Sequence, residues 1–308
     1  MKKFSGGWIA IFCLFLLSPA VRAENGLQRI TDHVYSYLDA QDPSPANSFG
    51  ANAGIIIADR GIVVIDTLVS AKEAQRFLQD IRKISDKPIR YVVNTHYHLD
   101  HSFGNAEFAK LGAVIVAHVN CGAEMRLKAA TVLANAENYG LNPEDMAGTE
   151  IAYPDITFTD RMRLELDNMG VELIYVAPSH SLGSILVYLP DEKVLFAGDI
   201  LFTDFHPFMG EGDIAGWQRN LDFLTTLDAD RIIPGHGPLS TKKDVADMKT
   251  YIALFDTKAR ELAAGWSGGL EDLVLEMKKS LPPRTRGEWL IGATLQTKYL
   301  QGKIDGKN

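Results

Sequence analysis

The chain has 308 residues, 46% of them hydrophobic, with 39 acidic against 31 basic side chains and a formal net charge of −8. A surface of that sign repels phosphate backbones, which argues against nucleic acid as a partner. No internal repeat and no Pro/Ser/Gly-rich linker divides the chain, so one large globular unit is expected over 24–308, with a helical C-terminal extension from about 240.

Residues 1–23 stand apart from that unit. Lys2 and Lys3 precede an apolar run from Trp8 to Leu17, and the segment ends at Val21-Arg22-Ala23 with small residues at A-x-A-like positions. This is the pattern of a secretory signal peptide, since the run falls short of the roughly 20 residues a spanning helix needs. Cleavage is expected after Ala23. It removes Lys2, Lys3 and Arg22 and no acid, taking the formal charge from −8 to −11. The mature protein is then periplasmic or secreted, with no stable membrane insertion. Cys13 leaves with the signal, and Cys121 has no intramolecular mate.

In chain order, the runs 34–37, 54–57 and 62–66 read as antiparallel strands, the last two joined by a tight turn at 58–61. From Ser70 the period changes: Ala74, Phe77, Leu78 and Ile81 share one helical face, and Ser70 with Glu73 has capping-box spacing. Lys87-Pro88 ends that helix, and 89–94 reads as a buried strand that delivers the segment 95–101 on a loop. A strand at 113–117 and a polar helical region from about 120 to 142 follow. The stretch 156–201 returns to strands, at 161–166, 171–176, 184–189 and 194–196. The tail alternates again, with helical patterns near 217–227, 242–264 and 270–279 and a strand at 230–233. Two β-rich blocks, each followed by helices, predict an α/β protein in which two sheets pack face to face with helices outside.

The chemistry is concentrated in His96-Tyr97-His98-Leu99-Asp100-His101, where three imidazoles and a carboxylate fall within six residues. Such a cluster is costly to desolvate unless a cation or water meets it. In an extended or loop segment His96 and His98 point to the same side and can converge on one ion, while Asp100 and His101 can turn toward a second. Three more acceptors follow apolar runs and are flanked by Gly or Pro: His180 in Pro178-Ser179-His180-Ser181, Asp199 after Gly198, and His236 in Pro234-Gly235-His236-Gly237. The glycines suggest close backbone approach, and five histidines with two aspartates suit two ions better than one. His33 and His118 read as structural residues. His206 is placed equally well facing substrate or at the surface, and Tyr97 and Phe103 either line a pocket or pack on the sheet.

The order H-x-H-x-D-H, then His, then G-D, then P-G-H-G resembles the signature of the metallo-beta-lactamase superfamily, over roughly 34–238. The resemblance implies the four-layer αββα fold, a first metal on His96, His98 and His180, a second on Asp100, His101 and His236, and Asp199 bridging both. It also implies that Asp66 buttresses the site. Two divalent ions roughly 3.5–4 Å apart can hold a bridging water whose pKa falls toward neutrality, with one ion polarising the scissile carbonyl or phosphoryl oxygen and Asp100 orienting the nucleophile. Two Zn²⁺ are the expected cofactors, although imidazole and carboxylate sites also accept iron, manganese or cobalt.

Within the family, Asp199 stands where the best-known zinc β-lactamases carry a metal-binding cysteine, and 200–203 lacks the lysine that grips the substrate carboxylate. An aspartate bridge resembles glyoxalase II, lactonases and assorted esterases and phosphodiesterases. The expected function is therefore hydrolysis of an ester, lactone, thioester or amide bond in a small-molecule substrate, with β-lactams among the amides. The alternatives are a phosphodiesterase and a mononuclear iron enzyme like the family's persulfide dioxygenases. The loops 140–154 and 202–213 show no diagnostic chemistry, and the sequence gives no oligomeric state.

Overall fold

The computed structural model describes residues 26–166 and 169–300; the expected signal peptide lies outside the described residues. The first sheet runs in sequence order through β1 (Gln28–Arg29), β2 (Val34–Ser36), β3 (Gly54–Ala58), β4 (Gly61–Ile65), β5 (Ile89–Val93), β6 (Val114–His118) and β7 (Ile156–Phe158). It is antiparallel through β4 and parallel from β4 to β7. The second sheet has the order β12-β11-β10-β9-β8, from β8 (Arg161–Leu166), β9 (Met169–Ile174), β10 (Leu186–Leu189), β11 (Val194–Phe202) and β12 (Arg231–His236). Only its β11–β12 pair is parallel.

Strand alternation builds the layers. On β3 and β4 the side chains of Ile56, Val63 and Ile65 face the second sheet and pack with Val171, Leu173, Val187 and Phe196. Their neighbours Ile55, Ile62 and Val64 point the other way, onto Phe77 and Ile81 of α1 (Ala71–Ile84). A period of two thus splits one hairpin between two apolar cores. The helix α1 is capped as its spacing predicts, Ser70 Oγ accepting from Glu73 N at 3.3 Å, while the Glu73 carboxylate turns to Arg76.

Short helices α2 (Leu99–Ser102) and α3 (Asn105–Ala109) follow β5, and α4 (Val119–Ala134) follows β6. The outer face of the second sheet is covered by α5 (Ile214–Thr226), α6 (Lys242–Ala264) and α7 (Leu270–Ser280), which share a core with Ile174, Leu186 and Leu195. A short α8 (Trp289–Thr294) and a π-helical turn, Leu295–Tyr299, complete the described chain. From 242 to 300 the described chain thus packs its helices onto the second sheet. Among the described residues no helix is long and apolar enough to cross a membrane.

Two expectations need correction. The segment 95–101 is not wholly a loop, because its last residues wind into α2, where Ser102 Oγ donates to Tyr97 O at 2.8 Å and closes the turn. The strand expected to end at 196 runs on to Phe202, since β12 offers a parallel partner along that length across a register break at Gly198.

Candidate metal centre

The histidine-rich segment leaves the end of β5 and is shaped by a buried amide network. Asn94 and Asn105 exchange side-chain hydrogen bonds of 2.9 and 2.8 Å, and Thr67 Oγ1 donates to Asn105 at 2.9 Å. From the second sheet, the segment after β9 brings His180, the middle of β11 brings Asp199, and the end of β12 brings His236. Asn52 clamps the last of these, its Nδ2 donating to the carbonyls of Pro234 and Gly237, both at 2.9 Å. A Cβ at Gly235 would overlap Asp199 Oδ1, and Gly198 has φ +48°, so both positions favour glycine.

The seven side chains singled out in the sequence meet across the inter-sheet cleft as two groups of donors: His96, His98, His180 and Asp199 in one, Asp100, His101 and His236 in the other. Asp199 faces both. Its Oδ2 lies 3.2 Å from His180 Nε2 and 3.8 Å from His96 Nε2. Its Oδ1 lies 3.1 Å from His101 Nε2 and 3.5 Å from His236 Nε2. Asp100 Oδ2 stands 3.5 Å from His101 Nε2 and 3.3 Å from His236 Nε2. His98 enters through Nδ1, 2.8 Å from His180 Nε2.

The donor set fits cations. His96 Nε2 and Asp199 Oδ1 are buried and make no hydrogen bond of acceptable geometry, although each points into the cluster. Burial, reinforced by the neighbouring imidazoles, drives His180 down to about 3, so it offers a bare nitrogen lone pair. In the second group burial opposes protonation of His236, but Asp199 and Asp100 outweigh it and lift it to about 9. Asp199 is held well below the usual carboxylate range, since the surrounding histidines overcome its burial. The carboxylates call for positive charge, and His96 and His180, both lowered by burial, supply neutral nitrogens. Neutral imidazole and carboxylate are the ligands zinc and similar divalent ions take.

Asp66 stands behind the cluster. Its carboxylate accepts from Thr95 N and Thr95 Oγ1, both at 2.7 Å, and pairs with His101 Nδ1 at 2.9 Å. His118 is structural, accepting from Asn120 N at the start of α4 and stacking on Tyr175 at 3.8 Å. His33 pairs with Glu192 away from the site. His206 faces neither substrate nor solvent; it is buried against Tyr251, 2.5 Å from its hydroxyl.

A cavity of about 1150 Å³ opens over the metal centre. Tyr97 and Phe103 both line it, as do Phe49, Phe205 and Phe208, while α8 and the turn after it contribute Trp289, Leu290 and Thr297. Histidines aside, Lys128 is the only cation among the described lining residues, and it is paired with Glu211 at 3.0 Å. Glu211 and the wall after 289 escaped the sequence reading. A lone acid in a loop and a six-residue helix carry no spacing signal.

The sequence profile of the metallo-beta-lactamase superfamily matches residues 47–236. The chain is 28% identical over 268 residues to a linear primary-alkylsulfatase from Pseudomonas sp., a match covering 76% of this chain and 50% of the relative. It is 22% identical over 225 residues to the metallo-beta-lactamase type 2 of Bacteroides fragilis, covering 71% of this chain and 82% of that one. The chain therefore spans about half the length of the alkylsulfatase it matches. A metallo-beta-lactamase from Pontibacter korlensis superposes with a TM-score of 0.59 at 19% identity, covering 74% of this chain and 98% of that chain, a likeness that speaks to the fold alone.

Proposed function

The chain belongs to the metallo-beta-lactamase superfamily, and from that premise we propose that it is a secreted, metal-dependent hydrolase holding two zinc ions. It cleaves an ester, lactone, thioester or amide linkage in a small molecule that carries a bulky apolar group. The observation that carries this reading is the division of Asp199 between two sets of donors, Oδ2 toward His180 and Oδ1 toward His101. His96, His98 and His180 would hold one ion and Asp100, His101 and His236 the other, with Asp199 shared.

The ion pair, when bound, supplies an acidified water and a Lewis acid for the scissile carbonyl. This chain's own residues do the rest. Asp100 lines the cavity, and its carboxylate is the acceptor placed to hold the proton that the attacking water loses and to return it to the departing oxygen, nitrogen or sulfur. The aromatic walls exclude water and seat the apolar group. For a β-lactam carboxylate the cavity offers no free lysine or arginine among its described lining residues, because Lys128 is engaged by Glu211. A sulfate ester, the substrate class named in the alkylsulfatase relative, meets the same lack of a free lysine or arginine side chain.

The test is metal analysis of the mature protein with a panel of p-nitrophenyl esters, a homoserine lactone, a thioester, nitrocefin, an alkyl sulfate and bis-p-nitrophenyl phosphate. Two zinc ions per chain and turnover of an ester-type member are expected, and His96→Ala or Asp199→Ala should abolish that turnover with the fold intact. One iron per chain with oxygen uptake on a persulfide would replace this reading with an oxidoreductase. Preferential turnover of the alkyl sulfate or the phosphodiester would move the substrate class.

A further inference from the structure

Four of the five imidazoles in the cluster have the nitrogen that faces away from it engaged by a partner. His96 Nδ1 meets Thr95 Oγ1 at 3.1 Å, His101 Nδ1 meets Asp66 at 2.9 Å, and His180 Nδ1 meets the Phe208 carbonyl at 3.0 Å. His98 is the exception in orientation, presenting Nδ1 inward and turning Nε2 toward the cavity, where the Glu211 carboxylate waits at 3.5 Å. It is also the most exposed of the five, so packing alone does least to fix its ring.

Glu211 is itself pinned from three sides of the chain. Tyr97 donates its hydroxyl to Glu211 Oε2, and Lys128 of α4 reaches the same oxygen at 3.0 Å while also standing 2.9 Å from Tyr97 Oη. A carboxylate accepting from a ligating imidazole fixes the ring's tautomer and makes its other nitrogen a stronger donor to the metal.

Taking the two-ion reading as given, we infer that Glu211 is a positioning residue that holds His98 with Nδ1 toward the first ion. It thereby ties the affinity of that one site to the loop between β11 and α5 that walls the substrate cavity. The loop meets the second group through Thr203 N, which donates to the His236 carbonyl, and through Phe205 packed on the His236 ring; among the described residues no loop carboxylate reaches an imidazole nitrogen there, and His101 is oriented by Asp66 from the far side. Glu211 should therefore act on one site and spare the other.

Zinc titration of the metal-free mature protein against a chromogenic chelator resolves the two sites as two steps. In Glu211→Ala one step should weaken about 10–100-fold, the range seen when the partner of a ligating histidine is removed, and the other should stay where it is. Glu211→Gln keeps an acceptor without the charge and should fall between. The melting temperature of both metal-free variants should match that of the wild type. Two unchanged steps overturn the proposal, and so do two steps weakened together with a lower metal-free melting temperature, which mark a merely structural role. A wild type that takes up a single ion defeats the two-ion reading instead, and Glu211→Ala then still reads whether that ion depends on Glu211.

Discussion

Asp66 adopts φ +60°, a region that residues with a Cβ seldom occupy, and it does so with its carboxylate buried beneath His101. Backbone strain of this kind persists where surrounding contacts over-determine it, and here three donors converge on one carboxylate. Asp66→Asn keeps the shape and removes the charge that orients His101, so binding at the Asp100–His101–His236 site should weaken about 10–100-fold in the same chelator competition. An unchanged affinity would reduce Asp66 to a packing residue. His206 invites a different measurement. Burial, and then the Arg284 guanidinium, lower it to about 4, below its ordinary 6.5. The unfolded chain therefore takes up a proton that the folded one refuses, and the stability associated with neutral His206 is full above about 6.5 and lost as pH falls through 4. His206→Gln lacks that titration. Urea midpoints of wild type and variant should converge as pH is lowered across that window, and a constant gap would count against the assignment.

Elements that bury a long apolar stripe or an alternating face were legible in the sequence. The helices α1 and α6 and the hairpin of β3 and β4 emerge from periodicity alone, because their packing partners lie on one side or on two alternating sides. What escaped is held by tertiary contacts. Lys298 Nζ donates to Gly212 O at 2.6 Å, Thr294 Oγ1 accepts from Met209 N at 2.9 Å, and Arg286 pairs with Asp39 at 2.5 Å. These bonds tie α8 and its flanks to the loop that carries Glu211 and to the segment before β3, and none follows from local spacing. The candidate metal ligands were legible singly, as motifs, and local geometry divided 96–101 between two ions, whereas the places of His180, Asp199 and His236 came only with the family resemblance. The helix α8, which lines the cavity, lies outside the segment matched by the family profile. Trp289→Ala removes apolar surface from the mouth. For an ester with a large apolar group KM should rise about fivefold, while kcat and the parameters for the acetate ester stay near wild type. Equal losses on both esters would place Trp289 outside the substrate contact.

At the scale of the molecule the seven candidate donors converge from two sheets, so ions bound there would staple the sheets together. The segment from His96 to His101 hangs from β5 of the first sheet, and His180, Asp199 and His236 hang from the second. The sheets do not depend on that staple for their contact, since Val34, Ile56, Val93 and Val116 already interleave with Leu173, Val187, Val194 and Ile233. Metal binding should therefore add to the stability of a domain that folds without it. An ion that binds only the folded form contributes about 2.7 kcal/mol at a free concentration a hundred times its Kd. For a domain of this size 1 kcal/mol corresponds to about 2–4 °C in Tm, so chelation should lower Tm by about 5–10 °C for each ion removed. The transition should stay cooperative and recover on adding zinc. Asp199→Ala removes the one carboxylate that serves both donor groups, so it should forfeit most of that gain. A chelated protein that no longer unfolds cooperatively would show that the apolar contact between the sheets is too weak to hold them, and an unshifted Tm would show that the donors bind no ion under those conditions.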